Sequence, residues 1–227
     1  MTDRYYTGVG SRQTPARILR QMEKLAINLR ERGWILRSGH ARGADRAFEK
    51  GAARQAVIYL PWPGFGVKPY LDDPGCPVQG ATVVLPRERL RAHYQTLVDL
   101  GIRSGPATGG STSEAVQLLH GRNVCQVQGH LPAQPPSRFV VCWTPGGLEG
   151  WKEYNPHDPQ GGTATAILLA DSQGIPVFNL ARVDALDRLE WWLVEHEDDT
   201  NKEKGPGPAL GGTGLSGGPG GGASGGV

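Results

Sequence analysis

The sequence predicts an α/β domain of Rossmann-like form, a three-layer sandwich around a mainly parallel sheet. Three observations predict it. Short apolar runs alternate with stretches of helical periodicity from Tyr5 to about Leu193. The run Phe139-Val140-Val141-Cys142-Trp143 is apolar throughout, as in a strand covered on both faces. Glycines and small hydroxyl residues stand at three strand ends, each just before a helix.

The elements follow in order. Tyr5-Tyr6-Thr7-Gly8-Val9-Gly10 is a first strand ending in glycines. Thr14 is placed as an N-cap with Pro15 at the first helical position. Ile18, Met22, Leu25, Ala26 and Leu29 form one apolar stripe, and Gly33 stands where that helix would end. Trp34 to Arg37 is a second strand, Ala44 to about Ala53 a second helix, and Val57 to Leu60 a third strand. Residues 61–86 hold six prolines and read as a long loop with a short strand at Thr82 to Leu85. A helix is expected from Glu88 to Leu100, then a loop at 104–112 and a short helix at Glu114 to Leu119. Cys125 is placed in a strand-like run. After Trp143 come a glycine-rich loop, a helix from Thr163 to Ser172, a strand over Ile175 to Leu180 with its proline near the start, and a last helix capped by Asp184.

The domain is expected to occupy residues 1–196, with 197–227 an acidic and then Gly-rich disordered tail, because a segment so poor in apolar side chains cannot offset its ordering entropy. No run of 18 apolar residues and no charged-then-apolar leader is visible, so neither a membrane span nor a secretion signal is expected. The cysteines, Cys76, Cys125 and Cys142, are odd in number and widely spaced, which argues against a disulfide framework or a zinc site and for a reducing cytoplasm. No metal or cofactor is expected. The net charge of +2 is uneven: residues 1–54 carry twelve Arg or Lys against five Asp or Glu, which puts positive potential near the first strand ends.

In a parallel sheet the ligand sits beyond the carboxyl ends of the strands, at the switch in strand order. Three segments are candidates there. In Gly8-Val9-Gly10-Ser11-Arg12, Gly8 and Gly10 let backbone amides approach a phosphate, while Ser11 and Arg12 add a hydroxyl and a forked donor. It is neither a Walker loop nor a complete dinucleotide fingerprint. In Ser38-Gly39-His40-Ala41-Arg42-Gly43-Ala44-Asp45, the candidates are Ser38, Gly39, Arg42, Gly43 and Asp45. Asp45 either accepts from a ribose, braces Arg42, or only suits the helix dipole; His40 reads as a loop histidine. The third segment pairs Thr144 and Pro145 with Gly161, Gly162 and Thr163, another glycine-led helix start.

Val9-Gly10-Ser11-Arg12, Ser38-Gly39-x-Ala41-Arg42-Gly43-x-Asp45, Arg122-Asn123, Phe139 to Trp143, and Gly161-Gly162-Thr163 through Gly174 to Phe178 resemble the core of DprA, the DNA-processing family that loads recombinase on single strands. The stretches Leu119 to Val127 and Val141 to Pro145 look like the short, single-domain phage members. DprA falls in the wider SLOG group of Rossmann-like domains, which also holds binders of nucleotide signals and the LOG phosphoribohydrolases. The resemblance adds Arg122 and Asn123 to the candidate site. It implies single-stranded DNA or a small nucleotide as partner and a homodimer or higher homo-oligomer. The LOG signature places a catalytic Glu after its G-G-x-G-T motif. Here Gly161-Gly162-Thr163-Ala164-Thr165-Ala166 has none, and the similar Gly109-Gly110-Ser111-Thr112-Ser113-Glu114 reads as loop and helix cap.

Three functions compete. A nucleotide sensor or scavenger needs only the amide-lined cleft with Arg12, Arg42 and Arg122. A single-strand DNA binder needs a basic groove with stacking rings, for which Tyr5, Tyr6, Trp62, Phe65, Trp143 and Trp151 are available. A glycosidic hydrolase needs a carboxylate, for which Asp45, Glu49 and Glu149 are candidates. No catalytic set is evident, so binding ranks above catalysis.

Overall fold

The computed structural model describes residues 4–69, 73–103, 112–155 and 161–202. Its elements are β1 (Tyr5–Gly8), α1 (Ala16–Glu31), β2 (Ile35–Ser38), α2 (Ala44–Ala52), β3 (Ala56–Leu60), β4 (Ala81–Val84), α3 (Arg87–Asp99), α4 (Glu114–Gln128), β5 (Val140–Cys142), α5 (Gly161–Ser172), β6 (Val177–Asn179) and α6 (Ala185–Lys202). The six strands form one sheet in the order β4-β3-β2-β1-β5-β6, and every pair is parallel. This is the expected Rossmann-like α/β architecture. The chain divides into two compact units, Met1–Leu189 and Glu190–Val227; the sheet lies wholly in the first.

The inner strands are short and largely buried because helices cover them, whereas the edge strand β4 is mostly exposed. β5 is buried at all three residues. On one face α1 packs on α2; on the other α3, α4 and α5 pack in succession. α1 buries Ile18, Met22, Ala26 and Leu29, the expected stripe. One cluster joins Val140 and Cys142 of β5 to Ala166, Ile167 and Ala170 of α5. The β1–β5 seam is tied across the chain by Thr7, whose hydroxyl contacts the Gln126 carbonyl at 2.6 Å and Ser137 Oγ at 2.9 Å.

Several local expectations are corrected. Thr14 does not cap α1: its hydroxyl donates to the Ser11 carbonyl at 2.7 Å, and Pro15 takes the cap position. α4 runs on to Gln128, so the helix ends nine residues beyond Leu119 and Cys125 is helical. Residues Gly121 to Val127 are all buried; a helix wedged between α3, α5 and the sheet has no solvent-exposed face over this stretch and so loses the periodicity that marks an exposed one. Pro176 lies just outside β6 and supplies its carbonyl to the Val140 amide at 2.9 Å. α6 continues through Lys202, because no glycine or proline stops it before Gly205. The Gly-rich stretch expected as tail lies outside the described residues. No helix among the described residues is long and apolar enough to cross a membrane.

Candidate functional site

From β1 the chain winds outward through β2 and β3 to β4, then crosses back through α3 and α4 to lay β5 on the other side of β1. The switch in order therefore falls between β1 and β5. At its carboxyl ends lies a cavity of about 440 Å³, within the range of about 300–1,000 Å³ of small-molecule sites. Of the expected residues, Gly10, Ser11, Arg12, Asp45, Arg122, Asn123, Pro145, Gly161, Gly162 and Thr163 line it.

The first wall is the turn after β1. The Ser11 amide is bound to the Trp143 carbonyl at 3.2 Å, and its hydroxyl accepts from the Gln13 amide at 3.0 Å. That leaves Arg12 exposed at the mouth. Gly10 is required by packing: a Cβ there would lie 2.5 Å from Ala44 Cβ and 3.3 Å from the Trp143 carbonyl.

The floor is a buried ion pair. Arg122 is 5 % and Asp45 4 % exposed, with Nη1 3.4 Å from Oδ2. Asp45 Oδ2 also accepts from the Ala41 amide at 3.3 Å. Asp45 thus braces Arg122. Burial pushes the Asp45 carboxyl above its ordinary value even though Arg122 pulls it down, and burial lowers Arg122 against the pull of Asp45. Phe65 stands beyond the guanidinium, its ring 5.8 Å from Arg122 Cζ.

The second wall is where α4 meets the start of α5. Asn123 Nδ2 donates to the Gly162 carbonyl at 2.9 Å, and Arg103 Nη2 donates to the Gly161 carbonyl at 2.7 Å. The first-turn amides of α5 have no intrahelical partner, and the helix dipole adds partial positive charge there. Thr165 Oγ1 receives Arg103 Nε at 2.8 Å and lies 2.8 Å from His120 Nδ1. Burial, then the charges of Arg103 and Arg122, push the His120 pKa down to about 3, so the ring is neutral. The sequence reading missed Val116, Leu119, His120 and Gln126, which also line the cavity. Counted from Val116 they fall at i, i+3, i+4 and i+10 along α4, and that helical spacing was the available signal.

The remaining expected residues lie outside the lining. Gly8 packs on Phe48 and Leu36, Ser38 donates to the Gly8 carbonyl at 2.7 Å, and Gly39 lies against Arg122. Gly43 takes φ 94° with a would-be Cβ 2.9 Å from the Ser11 carbonyl. Arg42 is exposed. Thr144 Oγ1 accepts from the Leu148 amide and from Asn179 Nδ2. These hold the walls in place. Tyr5 and Tyr6 are core residues, 5 % and 0 % exposed. Glu149 pairs with Arg188 and Arg182 away from the lining.

His40 lies in the loop between β2 and α2, as expected, but inside the protein rather than in solvent. It is 0 % exposed, sits at φ 61°, and lies 2.5 Å from Glu49 Oε2 through Nδ1 and 3.0 Å from the Cys76 carbonyl through Nε2. A carbonyl only accepts, so Nε2 carries a proton. Burial lowers the pKa, but the Glu49 hydrogen bond and charge with the Cys76 carbonyl outweigh it and hold the ring above its ordinary value. The pair ties α2 to the segment carrying Cys76. No group of three or more His, Cys, Asp or Glu side chains suited to a metal is found among the described residues.

No protein-family model and no curated protein matches the chain. Among solved structures, DNA processing protein A from Helicobacter pylori, described for its single-stranded DNA binding mode, is similar at 14 % identity over 86 % of this chain and 73 % of that one, with a TM-score of 0.43.

Proposed function

We propose that this chain is a binding protein for a phosphate-bearing ligand, which it seats as a single nucleotide unit in the cavity between β1 and β5. The observation that carries the reading is the convergence at one concave mouth of the α5 start, the glycine turn after β1 and the exposed Arg12. Unpaired amides with a helix dipole suit an anion, and a guanidinium adds a forked partner.

Binding ranks above hydrolysis. Of the three carboxylates considered, only Asp45 lines the cavity, and it is engaged by Arg122 and the Ala41 amide. Glu49 is committed to His40. Binding of single-stranded DNA is the second reading, supported by the sequence motifs that resemble DprA; one nucleotide of a strand would then occupy the same cavity.

The experiment is titration of the purified protein with nucleoside monophosphates and a labelled oligonucleotide at two salt concentrations, with Arg12→Ala and Arg42→Ala. Arg12→Ala is expected to weaken binding on the order of tenfold or more, and Arg42→Ala much less. Binding of the oligonucleotide alone, falling steeply with salt, would select the DNA reading. No binding of either would sink both.

A further inference from the structure

We infer that the floor of the cavity reads a nucleobase, with the Gln126 carboxamide as the reading group; this rests on the nucleotide reading above. Gln126 is 1 % exposed, yet neither Oε1 nor Nε2 has a hydrogen-bond partner among the described residues. Gln126 is one of the residues that line the cavity. Burying an unpartnered amide is unfavourable, so the sequence bears a cost here that a ligand would remove. The backbone is not the reason for the residue, since the Gln126 carbonyl that holds Thr7 and Ser137 would be present with any side chain.

A second orphan lies beside it. Arg122 Nε is buried without a partner among the described residues. Gln126 Nε2 and Arg122 Nη1 converge on one point, 2.9 and 1.0 Å from where a Gly39 Cβ would stand. Two donors and an acceptor at the floor are thus buried without a partner among the described residues.

Charge decides what fits. Arg122 is compensated by Asp45 at the floor, whereas the mouth has the start of α5, with its partial positive charge, and the exposed Arg12. A phosphate dianion belongs at the mouth. The floor suits a neutral planar group with a donor beside an acceptor, which a carboxamide engages in bidentate fashion on a base edge. Along α4 the order agrees: Asn123, nearer the α5 start, spends its amide on the Gly162 carbonyl, while the Gln126 amide, one turn on, has no partner among the described residues.

The test is affinity for the four common nucleoside monophosphates and for ribose 5-phosphate, which has no base, in the wild type, Gln126→Leu and Gln126→Glu. Melting curves establish that each variant is folded. The wild type is expected to spread the four bases over about tenfold or more. Gln126→Leu should compress that spread to about threefold or less with ribose 5-phosphate affinity unchanged. Gln126→Glu should alter the rank order. Equal affinities across the bases in the wild type, or a spread that survives Gln126→Leu, would overturn the inference and leave phosphate binding intact. Failure of all five compounds to bind would overturn the nucleotide reading and the inference with it.

Discussion

The Arg122 guanidinium fills the space that a side chain at Gly39 would need: a Cβ on Gly39 would stand 1.0 Å from Arg122 Nη1. Gly39 thus shapes the cavity floor without facing the cavity.

Gly39→Ala is expected to displace Arg122 and strain the floor. Overpacking of this kind costs about 1–3 kcal/mol. A urea melt should show that loss, and nucleotide affinity should fall with it. Unchanged affinity would mean that the position of Arg122 does not matter to binding.

Arg122→Met leaves Asp45 buried without its cation. Breaking a buried pair by removing one partner costs about 3–5 kcal/mol. The double variant Asp45→Asn with Arg122→Met should lose less than the sum of the two single changes. Additive losses in denaturant melts would show that the two side chains are not coupled.

Gln126→Leu should leave the ligand-free protein as stable as the wild type or more so, because it removes two unpartnered polar atoms from a buried place. Differential scanning calorimetry without ligand checks this. A large drop would mean that the carboxamide has a structural partner.

Two histidines with shifted pKa values, His40 and His120, predict opposite pH windows. His40 has a raised folded pKa, so its contribution is fully present below its unfolded value of 6.5 and is lost as pH rises through the folded value. His120, at about 3 when folded, binds a proton more readily unfolded, so stability declines as pH falls from about 6.5 toward 3. His40→Asn should flatten the alkaline limb of a stability–pH curve, and His120→Asn the acid limb. Asn also tolerates the positive φ at position 40.

The sheet was legible because period and turn chemistry are local. Phe139 to Trp143 and the glycines after β1 and before α5 carry their structural meaning within a few residues. Ten of the candidate residues meet at one cavity because strand ends in a parallel sheet share an edge. What could not be read was the partnership of residues far apart in sequence. Asp45 pairs with Arg122, 77 positions away, and Gly39 serves that same arginine. The burial of the loop residue His40 could not be read because it depends on a segment that reaches Cys76. The length of α4 was hidden for a different reason: a helix covered on several sides lacks the alternation that announces one.

The seam between β1 and β5 sets the order in which this site comes into being. Thr7 pairs with Val140 in register, so the chain must close a loop of more than a hundred residues before the two strand ends meet. Loop-closure entropy is spent before the contact returns anything, which makes such pairings slow. The cavity is assembled from both sides of that seam and does not exist until it closes. A ligand therefore binds only the completed domain, and its occupancy raises the melting temperature of the whole unit in proportion to the logarithm of its concentration above Kd. Refolding followed by ligand fluorescence would lag behind the appearance of helix, by the time the last crossover takes.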